Sequence, residues 1–235
     1  MSHSKPKLLV FPGIDGDPEL RRGLPEALEG RVEAQIFALP DDTSLGYEAL
    51  AEHFSALLPD GPVVLAGESF SGPLVAMIAE KRPDKVKGIV FIASFPKLTY
   101  LRAAKPLLPL IPLRAIPYDL LGWLMMGNKG SSDVPRRMRA ALKQLPSRLA
   151  KHRVTLALDG DVSKIISRLP QPILIIHGTK DRLLPRGHIS RFLSLRPDAQ
   201  VVLLDGYHMI LETHPGPVAR AIEAFVECLS APRPI

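Results

Sequence analysis

The chain has 235 residues, of which 46% are hydrophobic and 23% charged, with a formal net charge of +6. That balance excludes a disordered chain and suits one folded domain, or one domain carrying an insertion. The single cysteine, Cys228, excludes an internal disulfide, so nothing in the sequence asks for an oxidising compartment.

The opening "MSHSKPKLLVFPG" sets two lysines before a short apolar run, too short for a secretory signal. No apolar run approaches the roughly 18 residues of a spanning helix, so the expectation is a cytoplasmic protein. Strands are predicted at "LLVF" (8–11), "AQIFAL" (34–39), "VVLAG" (63–67), "GIVFIAS" (88–94), "ILIIHG" (173–178) and "VVLLD" (201–205). Most are nearly continuous apolar runs, as strands buried on both faces of a parallel sheet should be. Helical patterns at about 17–29, 44–58, 70–82, 185–195 and 213–229 lie between them. This alternation predicts an α/β fold with a mainly parallel six-stranded sheet flanked by helices. In such sheets, sites gather at the carboxyl ends of the strands. Cys228, in "AIEAFVECL", is expected on the buried face of the last helix.

One interval breaks the rhythm. Between Phe95 and Pro170 no strand pattern occurs, and prolines at 96, 106, 109, 112, 117, 135 and 146 forbid one long helix. Residues 97–168 therefore read as a helical cap inserted into a core of residues 1–96 and 169–235. "SSDVPRRMRAALKQL" predicts a helix with Asp133 or Ser132 as its cap and Pro135 in the first turn. Between 97 and 153 the cap carries twelve lysines and arginines against Asp119 and Asp133. Two uses stay open for them: a solvated outer face, or contact with an anionic membrane surface or acidic acyl carrier. Stacking aromatics do not interleave with these charges, so nucleic acid is not expected as a partner.

The stretch "VVLAGESFSG" (63–72) carries the chemistry. A strand that turns sharply into a helix lifts a side chain into view over the helix N-terminus. There, free N–H groups and partial positive charge can meet a developing oxyanion. Ser69 occupies the turn. Its neighbours two before and two after must be small, and Gly67 and Ser71 stand there.

This segment resembles the nucleophile elbow, usually G-x-S-x-G, of the α/β-hydrolase family, with Ser71 as its one departure. The resemblance extends along the chain. "ILIIHGTKD" is similar to the family's acid-bearing loop and offers Asp181, and "VVLLDGYH" ends in His208 where the family carries its histidine. The order nucleophile, acid, histidine matches, and 27 residues (208 − 181) leave room for one helix and one strand. The resemblance implies Ser69 as nucleophile, His208 as general base and acid, and Asp181 as the group that orients the imidazole. By position it also implies an oxyanion hole from the backbone N–H groups of Phe70 and of Ile14, in "FPGIDGDPEL". "PGIDG" and "GESFSG" together look like a bacterial subgroup of hydrolases and acyltransferases of broad activity.

Other polar residues have weaker claims. His177 reads as a hydrogen-bonded structural residue and His214 as an alternative base. Glu68 either tunes the site or packs under the turn, and Asp15 either orients its loop or faces water. Neither an H-x-x-x-H pair nor a cysteine cluster occurs, and no G-x-G-x-x-G follows a strand, so no metal or other cofactor is expected. The apolar cap residues Leu110, Trp123, Leu124 and Met125 are expected to line the wall that receives a substrate's acyl chain. The sequence thus predicts a serine esterase for small-molecule esters with short to medium acyl chains. Acyl transfer or thioester hydrolysis with the same residues, and a non-catalytic small-molecule-binding protein on the same fold, remain as alternatives.

Overall fold

The computed structural model describes residues 6–99, 105, 116–127 and 133–230. Six strands form one sheet: β1 (Lys7–Phe11), β2 (Ala34–Ile36), β3 (Val63–Glu68), β4 (Val86–Ile92), β5 (Ile173–Gly178) and β6 (Gln200–Leu204). Their order is β2-β1-β3-β4-β5-β6, and every neighbouring pair is parallel. The sheet is therefore wholly parallel, and its carboxyl ends lie along one edge.

The continuous apolar strands have a simple cause. Alternate side chains point to opposite faces, and both faces are covered. Leu9, Phe11, Leu65, Ile89, Phe91, Ile173 and Ile175 pack on one side, with Phe54 of α2 (Tyr47–Ala56), Leu74 and Ile78 of α3 (Ser71–Lys81) and Phe192 of α8 (Gly187–Leu195). Leu8, Val10, Val64, Ala66, Val90, Ile92, Leu174 and Ile176 pack on the other. Their partners are Leu24 and Leu28 of α1 (Gly23–Leu28) and Val218, Ile222, Phe225 and Val226 of α10 (Pro215–Ser230).

Cys228 departs from its expected place: it is exposed. The buried stripe of α10 runs through Val218, Ala219, Ile222, Phe225 and Val226. At 3.6 residues per turn, position 228 stands about 120° round the helix from the middle of that stripe.

Between β4 and β5 the described chain is helical: α4 (Tyr118–Met126), α5 (Val134–Gln144), α6 (Ser147–Asp159) and α7 (Ser163–Ile166). Asp133 holds the N-cap position of α5, as the sequence suggests, but makes no capping hydrogen bond. Its carboxylate instead meets Arg22 and Arg137, each at 3.1 Å, and so ties α5 back to the segment after β1. Ser132 lies outside the described residues. The positive charge of this segment is partly met inside it. Lys97 pairs with Asp161 at 2.5 Å and Lys105 with Asp159 at 2.6 Å, while Arg136 and Arg139 remain exposed. Among the described residues no helix is long and apolar enough to cross a membrane.

Candidate active site

Ser69 follows β3 directly and has φ of 46°, a left-handed conformation uncommon for a side-chain-bearing residue. Its backbone is nonetheless well held. The Ser69 N–H donates to the Ile92 carbonyl (2.9 Å), and its own carbonyl accepts from Ser94 Oγ (2.7 Å). A Cβ at Gly67 would come within 2.5 Å of the Ser71 carbonyl oxygen, so the turn requires glycine there.

Ser71 does not weaken the turn. It is fully buried, and its hydroxyl donates to the Pro12 carbonyl at 2.5 Å, joining the start of α3 to the loop after β1. The demand for a second glycine falls one residue later. A Cβ on Gly72 would stand 1.8 Å from Ser94 Oγ, the hydroxyl that holds the Ser69 carbonyl.

His208, in the loop after β6, and Asp181, in the loop after β5, complete a chain of contacts. Ser69 Oγ donates to His208 Nε2 at 2.9 Å, and His208 Nδ1–H donates to Asp181 Oδ2 at 2.8 Å. Asp181 Oδ1 accepts the N–H groups of Leu183 (2.8 Å) and Leu184 (2.7 Å). Burial alone would push the Asp181 carboxyl up. His208, the Leu184 N–H and His177 outweigh it and hold the group below its ordinary value, as the carboxylate. His177 is structural here: its Nε2–H donates to the Leu184 carbonyl at 2.8 Å, bracing the loop that carries Asp181. His214 bonds its neighbour Thr213 through Nδ1 at 2.8 Å and takes no part in the chain.

A family model for the alpha/beta hydrolase family matches residues 10–221. The chain belongs to that family. It is 25% identical over 251 aligned residues to 2-(acetamidomethylene)succinate hydrolase from Mesorhizobium japonicum, covering 95% of this chain and 89% of that protein. It is 26% identical over 192 residues to pimeloyl-[acyl-carrier protein] methyl ester esterase from Klebsiella pneumoniae, covering 73% and 72%. Among solved structures, a hydrolase from Oleispira antarctica superposes with a TM-score of 0.81 at 17% identity, over 95% of this chain and 92% of that one. The fold is accordingly the alpha/beta hydrolase fold.

In this alpha/beta hydrolase a cavity of about 260 Å³ opens onto Ser69 and His208. Ile14 and Phe70 line it beside Ser69, as do Gly13, Asp15 and Glu68. Arg21 also lines it, and the rest of its wall is apolar and comes largely from between β4 and β5: Leu98, Leu121, Met125, Met138, Leu142 and Leu158. A second cavity of about 160 Å³ shares Ile14, Leu121, Leu142 and Val154 with the first.

The expected acyl wall is thus corrected in part. Met125 lines the cavity, but Trp123 and Leu124 do not, and Leu110 lies outside the described residues. Trp123 is 44% exposed, and the Arg182 guanidinium stacks over its ring at 3.8 Å and over Tyr207 at 4.6 Å. Arg182 follows Asp181 and Tyr207 precedes His208, so this stack joins α4 to both loops from outside. A helix period places residues 121 and 125 on one face and 123 beyond it. That spacing, rather than residue size, was the usable signal.

Sequence reasoning missed two buried arginines. Arg153 of α6, counted among the basic residues of the cap, is 3% exposed. It donates to the carbonyls of Ile14 (2.9 Å) and Pro40 (3.0 Å). Burial pushes its pKa down despite nearby Asp41 and Asp15. Arg21 is 2% exposed and meets Asp15, Glu68 and Glu212. Nothing in "PELRRGL" distinguishes the buried Arg21 from the exposed Arg22.

The buried histidines near Asp181 make stability depend on pH. His188 of α8 is 6% exposed; burial first, and then the charge of His177, push its pKa from 6.5 down to about 4. Between those values the unfolded chain binds the proton that the folded chain refuses, so stability falls as pH falls. Full stability is present above about pH 6.5. The loss across the window is on the order of 3 kcal/mol from about 2.5 pK units. Urea unfolding between pH 7 and pH 4 should show this decline, with a shallower slope in His188→Asn. Equal slopes for the two proteins would remove His188 as the source.

Proposed function

We propose that the protein is a serine carboxylic ester hydrolase for neutral esters with short to medium acyl chains. The observation that carries this reading is the hydrogen-bonded chain from Asp181 through His208 to Ser69, opening into an apolar cavity. Arg21 is the single cation among the described lining residues, and it is already paired with carboxylates. A neutral acyl group fits such a wall better than a charged one.

In this reading Ser69 Oγ attacks the ester's acyl carbon while His208 Nε2 takes its proton. Asp181 keeps the proton of Nδ1 facing itself and stabilises the imidazolium. Negative charge gathers on the carbonyl oxygen, where the N–H groups of Phe70 and Ile14 receive it. Phe70 caps α3, so the helix dipole favours that charge. Collapse expels the alcohol, which takes the proton from His208. Water then attacks the acyl-enzyme with His208 as base, and Ser69 regains its proton as the acid leaves. The segment 97–168 serves as the cap, and Leu121, Met125 and Leu142 contact the acyl chain.

The test is kcat/KM across p-nitrophenyl acetate, butyrate, hexanoate and octanoate. Each methylene buried contributes roughly 0.8 kcal/mol, about four-fold. The wild type should gain on that scale until the first cavity is full. Leu142→Phe, which narrows a wall shared by both cavities, should lower octanoate turnover several-fold relative to acetate. Trp123→Ala, on the outer face, should give a curve parallel to the wild type. A parallel curve for Leu142→Phe would remove the cap from acyl selection. A wild type that retains ester without releasing alcohol would favour a binding protein instead.

A further inference from the structure

Arg21, Asp15, Glu68 and Glu212 form a buried cluster of four ionisable side chains that the reaction does not use. Arg21 is 2% exposed, Glu68 3% and Glu212 5%. Arg21 Nε donates to Glu68 Oε2 at 2.6 Å and lies 3.2 Å from Glu212 Oε1. Its two terminal nitrogens both donate to the Asp15 carboxylate, Nη2 at 2.8 Å, and Nη1 also reaches the Asp17 carbonyl at 3.0 Å. Burial would push the guanidinium's pKa down, but Asp15, Glu68 and Glu212 together hold it above its ordinary value. Burial, reinforced by Glu68, pushes the Glu212 carboxyl well up.

A cluster of this kind is a poor way to gain stability, since apolar residues of similar volume serve at least as well. Its placement suggests another use. Asp15 follows Ile14, Glu68 precedes Ser69, and Glu212 lies in α9 (Ile210–Thr213), four residues after His208. One planar, rigid fork therefore touches three segments, at residues within four positions of Ile14, Ser69 and His208.

The connection to Ile14 is short. The Gly13 carbonyl, in the same peptide as the Ile14 N–H, accepts from Gly16 N–H at 3.0 Å, closing a turn over residues 13–16. Asp15 sits inside that turn. Arg21 grips it from the side of Glu68, and Arg153 holds the Ile14 carbonyl from the side of α6. Electrostatic stabilisation of an oxyanion needs its donors fixed to about 0.5 Å.

We propose that Arg21 is a positioning residue for the oxyanion hole. Anchored on Glu68, it grips Asp15 and so sets the Ile14 N–H at its distance from the Phe70 N–H. This rests on the ester-hydrolase reading and on the role given there to Ile14. The clamp should therefore act on the transition state and leave ground-state binding alone.

The experiment compares wild type, Asp15→Asn and Arg21→Lys, since Arg21→Met would bury carboxylates without their cation. Three quantities are read: kcat and KM on p-nitrophenyl butyrate, Ki for an alkyl trifluoromethyl ketone, and the rate of stoichiometric phosphonylation of Ser69 by a fluorophosphonate. Both variants should lose roughly 10- to 100-fold in kcat, with KM within about two-fold, below the 10²–10³ for removing a donor outright. Ki should rise by the same factor as kcat falls, and phosphonylation should slow in step. Lysine keeps the charge but not the fork, so it should not restore the rate. Wild-type kcat, Ki and phosphonylation in either folded variant, with only Tm lowered, would make the cluster a purely structural one. A wild type that neither turns over esters nor reacts at Ser69 would overturn the ester-hydrolase reading itself.

Discussion

Ser69→Ala is expected to lower kcat on p-nitrophenyl butyrate by on the order of 10⁵- to 10⁶-fold, the scale for removing a nucleophile that works as a unit with its base. KM should change little, because the cavity wall is untouched. The fold should persist. The backbone of residue 69 is held by Ile92 and Ser94 through main-chain atoms that alanine also has. Alanine faces the same left-handed φ as serine, with a smaller side chain. The lost hydroxyl leaves His208 Nε2 facing the cavity, where water can reach it. Mass spectrometry should find the fluorophosphonate adduct on Ser69 in the wild type and none in the variant. Labelling of another serine, or more than a tenth of wild-type kcat in Ser69→Ala, would remove Ser69 as the proposed nucleophile.

The strands were the most legible part of the chain. A run such as "ILIIHG" admits few other readings once both faces of a parallel sheet must be apolar, and β5 spans those same six residues. β2 is shorter than its run: its ladder with β1 ends at Val10 and Ile36, with one further bond from Phe37 N–H to the Val10 carbonyl. The contact chain of Ser69, His208 and Asp181 was legible because each residue lies within four residues after a strand, and strand ends in a parallel sheet converge on one edge.

What escaped the sequence depends on which side of a helix or loop faces inward. Trp123 is large and apolar, yet it finds Arg182 at the surface and leaves the cavity to Leu121 and Met125. Nothing in the sequence marked Arg21 or Arg153 as buried, because Glu68 and Ile14, which they meet, lie far away along the chain. Ser71 escaped in part. Its small size was legible as fitting the turn, but not the buried hydrogen bond that it supplies to the loop after β1.

Asp181→Asn tests the proposed acid and should cost on the order of 10⁴-fold in kcat. Leu183 N–H and Leu184 N–H both point at Oδ1, so the amide oxygen of asparagine must take that side. Its NH₂ group then occupies the place of Oδ2, facing His208 Nδ1 across the present 2.8 Å. An amide NH₂ only donates, so Nδ1 has to accept, and the imidazole proton moves to Nε2. That nitrogen faces Ser69 Oγ and can no longer take its proton. The substitution is nearly isosteric and keeps both loop hydrogen bonds, so the fold and KM should hold while kcat collapses. Near-normal kcat would mean that another group orients His208. The end of β4 offers none, since Ala93, Ser94 and Phe95 follow it. A kcat loss accompanied by an equal loss of Tm-verified folded protein would show Asp181 to be a brace for its loop. Preserved folding with a 10⁴-fold slower enzyme is the result expected of a residue that works by choosing the imidazole's tautomer.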